Sequence, residues 1–523
     1  MQLAERIYRE GVLPSGAPLH GIHPGGGEVT GAQAACVMCH RRSGLGTVEG
    51  TRITLPITGR YLYQTRPRQG TELADLRRSR FPDYAHALGR NRSTRPYTDD
   101  NLVRAIRQGV DVAGEPLDPM MPRFNLSDTD ARMLVDYLKQ LSRDWSPGVS
   151  ADSIDFATVI TPDVAPQQRE ELLAVLNAFF EEHNAHVRLQ RLFEQRYPGS
   201  QYKTYRTWWL HVWDLTGAPE GWRNQLDADY RKQPVFALLS GLSQGSWTPV
   251  HGFCEQQAVP CWFPTVDLPV VGDDSYYPIY FSGGVELEAR LLGHYLSGQS
   301  GDARLHRVIQ VHEADPASSA AAQTLADALQ KAGIPTEQRL VGDQAPAALH
   351  TSLAAVGARD ALVLWLRGPE LQKLNQAPPG EGPIYVSAIL SGGEDAAMPA
   401  PWKQRVQMVY PFELPQRQRP NMAYIRSWLK RHNLEGGDER VRSEAFLACR
   451  MMSEKLDEIQ ENLYRDYLME TTEDLISRRR INGIYHNLSL GPGQRLAAKG
   501  GYIVRFAEPT GSQLVAETDW IVP

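Results

Sequence analysis

Cys36-Val37-Met38-Cys39-His40 is the stretch whose residue types and spacing carry the most definite chemistry. Two thiols separated by two residues can each add across one vinyl group of a porphyrin. A histidine directly after them is then held beneath the iron as its proximal ligand. The stretch therefore reads as the attachment site of one covalently bound haem c. Met120-Met121-Pro122-Arg123-Phe124, in a Pro- and Gly-rich loop before an amphipathic helix, offers a thioether as the second iron ligand. A His/Met axial pair raises the reduction potential relative to harder ligands. Three other readings compete. Zinc needs about four ligands, usually from two such clusters, and one is present. A thioredoxin-type CxxC expects a strand before it, whereas Gly31-Ala32-Gln33-Ala34-Ala35 reads as helical. A chance match is made less plausible by the downstream Met-Pro loop.

Other residues invite chemistry less strongly. Cys254 and Cys261 form a close pair, which fits a disulfide in an oxidising compartment, and haem attachment to thiols implies the same compartment. Cys449, in an apolar helical run, reads as a buried small hydrophobe. Gly241-Leu242-Ser243-Gln244-Gly245 matches the G-x-S-x-G nucleophile elbow after a buried strand. The acid and histidine that an elbow needs cannot be picked out, and a glycine-rich strand-to-helix turn serves equally to present backbone donors in a binding cleft. His251 reads as a satisfied structural histidine. Trp208, Trp209 and Trp213 read as core, with an electron-hopping path as the minority alternative. Leu488-Ser489-Leu490-Gly491-Pro492-Gly493-Gln494 lacks the lysine of a phosphate loop, and no complete G-x-G-x-x-G follows a strand.

The elements that must position these groups fall into two stretches of different character. At 523 residues, 42% apolar and 22% charged, the chain has the composition of a multidomain globular protein. No run approaches the roughly 18 apolar residues of a membrane span. Residues 1–145 hold 20 Lys/Arg against 16 Asp/Glu, and the remainder 35 against 45. Arginine runs at Arg66-Pro67-Arg68, Arg77-Arg78-Ser79-Arg80 and Arg90-Asn91-Arg92 make a basic surface suited to an acidic redox partner or to haem propionates. Nucleic acid is not expected, because the chain is acidic overall and its aromatics do not interleave with the basic runs. Met1-Gln2-Leu3-Ala4-Glu5-Arg6 lacks the basic start and apolar run of a signal peptide, so the chain is read as a mature form whose leader has been removed.

The spacing predicts a helix over Ala4–Glu10 stopped by Gly11, a helix over Asp99–Gly109 capped by Thr98, and a helix after the Ser127 cap with Met133, Leu134, Tyr137, Leu138 and Leu141 on one face. This order, with CxxCH, the Met-Pro loop and Leu126-Ser127-Asp128-x-Asp130, resembles the class I cytochrome c family across residues 1–145. The resemblance implies an all-α monohaem domain in which the methionine directly before proline ligates iron. It selects Met121, with Met120 as the alternative.

Ser146–Ser150 reads as a linker. Beyond it, strands alternate with helices, which implies parallel sheets. Strands are expected at residues 156–161, 206–213, 235–241, 261–265, 278–281, 308–312, 361–366 and 501–506. Helices are expected at 168–184, 220–231, 285–295, 320–332 and 439–467. Order and segment character resemble a type I periplasmic, ABC-transporter-like solute-binding protein over residues 151–523. The resemblance implies an α/β fold of two Rossmann-like lobes, about 151–282 and about 283–523, with a small-molecule ligand between them. A ligand there sits at the carboxyl ends of strands, which makes Asp163, Ser240, Ser243, Trp247, Thr265 and Ser318 the candidate contacts, set against a plain turn or cap role for each.

The combined expectation is a periplasmic electron-transfer protein with a ligand-sensing or docking domain. Its redox partner would be a periplasmic dehydrogenase or another cytochrome. The alternatives are an ABC-transporter-type receptor with an auxiliary haem, and a haem-linked oxidoreductase acting in the interlobe cleft.

Overall fold

The computed structural model describes the chain except residues 1, 50–51, 65–94, 198–204, 273–274, 300, 302–304, 342–355, 375–377, 379, 479–480, 482, 492 and 509. The arginine runs between Arg66 and Arg92 lie outside the described residues. The chain divides into two compact units. The first is Met1–Ser146 with Glu194–Thr204 and Leu456–Thr471; the second is Pro147–Phe193, Tyr205–Lys455 and Thr472–Pro523.

In the first unit, local chemistry sets the helix ends. Helix Gln2–Glu10 stops at Gly11, whose φ of 65° is left-handed. Helix Asp99–Gln108 opens with the Thr98 hydroxyl accepting the Asn101 N–H at 3.3 Å and closes on left-handed Gly109. Helix Asp128–Gln140 opens with Ser127 accepting the Asp130 N–H at 3.0 Å. Both openings satisfy N–H groups that a helix start leaves unpaired. Ile7 and Tyr8 from the first helix, Leu102 and Ile106 from the second, and Leu134, Val135 and Leu138 from the third meet in one core. The unit is not purely helical, contrary to the all-α expectation. His20–Ile22 pairs antiparallel with Glu28–Thr30 and with Arg123–Phe124. A side chain at Gly21 would run into Pro122, so a glycine there lets the Met-Pro loop close against this strand.

Among the described residues, the second unit holds two seven-stranded sheets. In the first, Ser153–Ile160 lies centrally and all pairings are parallel: to Thr207–Asp214, Ala237–Leu239 and Leu242–Ser246, then outward to Thr265–Leu268 on one side and to Cys261–Trp262 and Pro278–Ile279 on the other. In the second, the strands Arg307–His312, Thr336–Leu340, Asp360–Trp365, Ile384–Ser387 and Val406–Tyr410 are parallel, and Tyr502–Phe506 and Leu514–Ala516 add an antiparallel edge. Fully buried Val308, Ile309, Leu362, Val363 and Leu364 show why such strands read as unbroken apolar runs.

Several expectations need correction. The expected helix over 439–467 is two helices, Glu439–Ile459 and Arg465–Arg478, separated where Gln460 takes a φ of 50°. Strands Thr336–Leu340, Ile384–Ser387 and Val406–Tyr410 and helix Pro415–Arg431 were not expected. Trp208 and Trp213 are buried, but Trp209 is 56% exposed: Thr207–Asp214 pairs on one side only, and its outer face meets solvent.

Candidate functional site

Cys36 and the short helix Val37–His40 follow the 3-10 turn Gly31–Ala34. The backbone carbonyl of Cys36 accepts from both Cys39 and His40, so the motif is wound into one turn that carries both thiols and the imidazole. His40 Nδ1 lies 3.0 Å from the Leu55 carbonyl. That acceptor fixes Nδ1 as the protonated nitrogen and makes Nε2 the lone-pair donor, the second-sphere arrangement that orients a metal-binding histidine. Burial of its sulfur pushes the Cys36 thiol up to about 12. A thiol so shifted is not the low-pKa nucleophile of a redox CxxC.

The Met-Pro loop is tied down by Arg123, whose guanidinium donates to the Met121 carbonyl and, at 3.1 Å, to Leu117 O. Met121 packs against the core of the unit, whereas Met120 is 56% exposed. Leu13, Val29, Val37, Ile57 and Tyr97 also pack on that core while keeping part of their surface accessible. Two thiols, an Nε2 donor and a thioether beside half-covered apolar side chains are the donor set and surface that an iron porphyrin requires, and the residues present fit that group. Among the described residues no group of three or more His, Cys, Asp or Glu is placed to hold a metal ion. A His/Met pair needs none.

In the second unit the candidate residues divide. Asp163 accepts from the Thr161 hydroxyl, and only the lack of a side chain at Gly245 leaves room for its carboxylate. Gly245 also lies near Pro316, so the turn after the strand Ser153–Ile160, the end of Leu242–Ser246 and the start of helix Pro316–Lys331 come together. Ser243 does not occupy a nucleophile elbow. It lies inside a strand, paired with Val266, and its hydroxyl accepts the Gly245 N–H at 3.3 Å. The left-handed residues are instead Ser240 and Gly241, which separate two strands of one sheet. Ser318 lies within a helix rather than a turn, and the cap is Asp315, accepting from Ala317 and Ser318 N–H. Ser240 Oγ, Trp247 Nε1 and Ser318 Oγ are buried with no hydrogen-bond partner among the described residues. Thr265 is buried beside Glu444. His251 is held by Tyr280 at 3.1 Å and Ser275 at 3.3 Å, and burial lowers its pKa, as fits a structural histidine.

The sequence reading missed the group that joins these pieces. Arg367, after the strand Asp360–Trp365, donates to Asp267 Oδ2 at 2.9 Å and to the Gln244 carbonyl at 2.7 Å, and lies 3.5 Å from Asp315. Arg440 takes the other oxygen of Asp267 at 2.7 Å. Burial alone would lower the Arg440 guanidinium; Glu444 and Asp267 beside it hold it well above its ordinary value. A signal existed in the acid that ends Val259-Pro260-Cys261-Trp262-Phe263-Pro264-Thr265-Val266-Asp267, but its two arginine partners lie far along the chain. Cys254 and Cys261 lie at disulfide-bonding distance, with Cα atoms 6.0 Å apart.

The family model for cytochrome c matches residues 27–142. The chain carries a cytochrome c domain. No curated protein gives a significant match. Among solved structures, a branched-chain amino acid ABC transporter protein from Thermus thermophilus with bound valine is 11% identical, covers 71% of this chain and 97% of its own, and superposes with a TM-score of 0.53. The branched-chain amino acid transporter substrate binding protein of Streptococcus pneumoniae in complex with isoleucine is 11% identical, with 71% and 100% coverage and a TM-score of 0.52. A fatty acid ABC transporter substrate-binding protein from Thermomonospora curvata is 14% identical, with 73% and 95% coverage and a TM-score of 0.50. At these identities the likeness is one of fold. A cytochrome c domain is thus joined to an α/β periplasmic-binding-protein fold. No helix among the described residues is long and apolar enough to cross a membrane.

Proposed function

We propose that this protein is a periplasmic c-type cytochrome that passes single electrons through one haem and uses its second unit to recognise a small molecule or a redox partner. The observation that carries the reading is His40, set by CxxCH on one helical turn and oriented by the Leu55 carbonyl. Cys36 and Cys39 would hold the porphyrin, and His40 Nε2 and Met121 Sδ would ligate iron. Haem bound there supplies a one-electron Fe(III)/Fe(II) couple. The chain's own part is to present the imidazole in one tautomer, to bring the thioether in on a loop pinned by Arg123, and to shield the ligands with apolar side chains. The pairing of Cys254 with Cys261 supports an oxidising compartment.

Ligand recognition is assigned to the region of Asp163, Gly245, Asp315 and Arg367. The solved relatives named for valine, isoleucine and a fatty acid share one fold, so the side chains of that region, rather than the fold, would choose the ligand. Peptide mass spectrometry should show haem covalently attached to the peptide carrying residues 36–40; its absence in protein matured with the c-type assembly machinery would end the haem reading. Thermal unfolding of the holoprotein against amino acids, carboxylates, alcohols and amines tests the second unit. A true ligand at a hundredfold excess over Kd stabilises by about 2.7 kcal/mol. No hit with a folded protein would turn the assignment towards protein docking.

A further inference from the structure

Glu470 lies on helix Arg465–Arg478, far along the chain, yet its carboxylate engages the loop that follows the haem motif. Oε1 accepts the Ser43 N–H at 2.9 Å, and Oε2 lies 2.6 Å from the Ser43 hydroxyl. Ser43 is itself fixed: its carbonyl accepts from Ser142 at 2.7 Å, and its hydroxyl accepts the Leu45 N–H at 3.2 Å. The loop returns to the motif through Gly46 N–H, 3.3 Å from the His40 carbonyl. All these residues belong to the first unit.

This carboxyl has two satisfied states. The Ser43 N–H serves Oε1 whether or not the group is ionised. The Ser43 hydroxyl can donate to an ionised Oε2 or, rotated, accept from a protonated one. Glu470 as a whole residue is partly exposed, although its carboxyl is desolvated. Asp466, one turn earlier on its own helix, opposes ionisation and is engaged by Arg9 at 3.1 Å. Arg41, on the motif loop, favours ionisation. From helix Gln2–Glu10, the Tyr8 phenol donates to Arg41 O at 2.6 Å; its pKa is raised by burial first, then by Cys36 and Glu470. Tyr137, on helix Asp128–Gln140, packs on Tyr8 and feels Asp466. Desolvation dominates this set and pushes Glu470 up to about 8, where a nearby change of one charge can move it across neutral pH.

We infer that Glu470 couples a proton to the electron: as a donor protein delivers one electron to the haem site, the carboxylate takes one proton from water and forms an O–H bond, and it releases that proton on reoxidation. This rests on the haem reading above. The step is balanced, one negative charge in and one positive charge in, so the site keeps its net charge.

The test is a spectroelectrochemical titration of the full-length holoprotein across pH values on both sides of 8. The wild-type midpoint potential should fall as pH rises, by up to about 59 mV for each tenfold drop in proton concentration. In Glu470→Gln the slope over that window should vanish, and Glu470→Asp should restore one. Redox-difference infrared spectra should show a protonated carboxyl band gained on reduction and absent from Glu470→Gln. If Glu470→Gln does not fold, Ser43→Ala serves: it removes a donor to the ionised form and should move the window to higher pH. A Glu470→Gln holoprotein with the wild-type slope, or a Ser43→Ala window that does not move, overturns the inference. Lack of covalent haem in the wild type would instead remove the reading beneath it.

Discussion

Two adjacent methionines separate when the chain folds. Met121 packs inward with the core, while Met120 stands 56% exposed on a backbone amide held by Asp118. Met121→Ala should therefore lower the haem potential within the ~0.8 V range that axial ligands command, and should admit carbon monoxide to the reduced iron. Met120→Ala should change neither, and redox titration of the two variants side by side checks the assignment. Pro122 following Met121 made this preference legible in the sequence through family resemblance. Gly245 was legible only as part of a motif that proved not to be an elbow. Its constraint is steric but soft: a methyl group there meets only the tip of the exposed Asp163 side chain, which can swing aside, so Gly245→Ala should shift stability by no more than about 1 kcal/mol in denaturant unfolding. Asp267 is held by two guanidiniums in a largely buried setting. Asp267→Ala leaves Arg367 and Arg440 facing each other and should cost about 3–5 kcal/mol by the same measurement.

Helices and strands were readable where their ends carry local chemistry and obscure where tertiary contacts decide. Thr98 with Gly109 and Ser127 with Asp130 announce their helices because capping is a matter of a few neighbouring residues. The break at Gln460 has no such marker. Neither glycine nor proline lies between Leu456 and Tyr464, and the turn is instead stitched to distant residues: Ser146 N–H donates to Leu463 O at 3.1 Å, and Arg465 N–H to the Ser146 hydroxyl at 3.0 Å. The helix after this break delivers Glu470. Its carboxyl is raised in the folded protein, so the folded state binds more protons than the unfolded chain between the ordinary carboxyl range and about pH 8. The contribution to stability is complete below the unfolded pKa and is lost as pH rises through the folded one. Wild type should accordingly lose up to about 1.4 kcal/mol per pH unit relative to Glu470→Gln across that window. Parallel denaturant titrations of the two proteins, followed at the haem absorption, test it.

For the chain as a whole, the unit that carries the cytochrome c domain is not a contiguous segment. Residues 456–471, flanked in the chain by stretches of the second unit, complete it through Asp466 on Arg9, Glu470 on Ser43, the Glu461 carbonyl on Trp145 and the Leu463 carbonyl on Ser146. A fragment ending at Ser146 should bind haem, since the motif and both proposed iron ligands are present. It should melt well below the haem transition of the full chain, each lost hydrogen bond costing about 1 kcal/mol. Haem-band melting of fragment and full chain compares them directly. The sequence by itself was enough for the haem proposal, because the proposed thioether attachment and proximal ligation need only five consecutive residues. It also determined the alternation of strands and helices, because periodicity and capping are local. Tertiary structure alone decided that Ser243 lies in a strand, that Arg367 and Arg440 share Asp267, and that Glu470 meets the haem loop. Those facts depend on which distant side chains share a low-dielectric space, and no spacing along the chain encodes that.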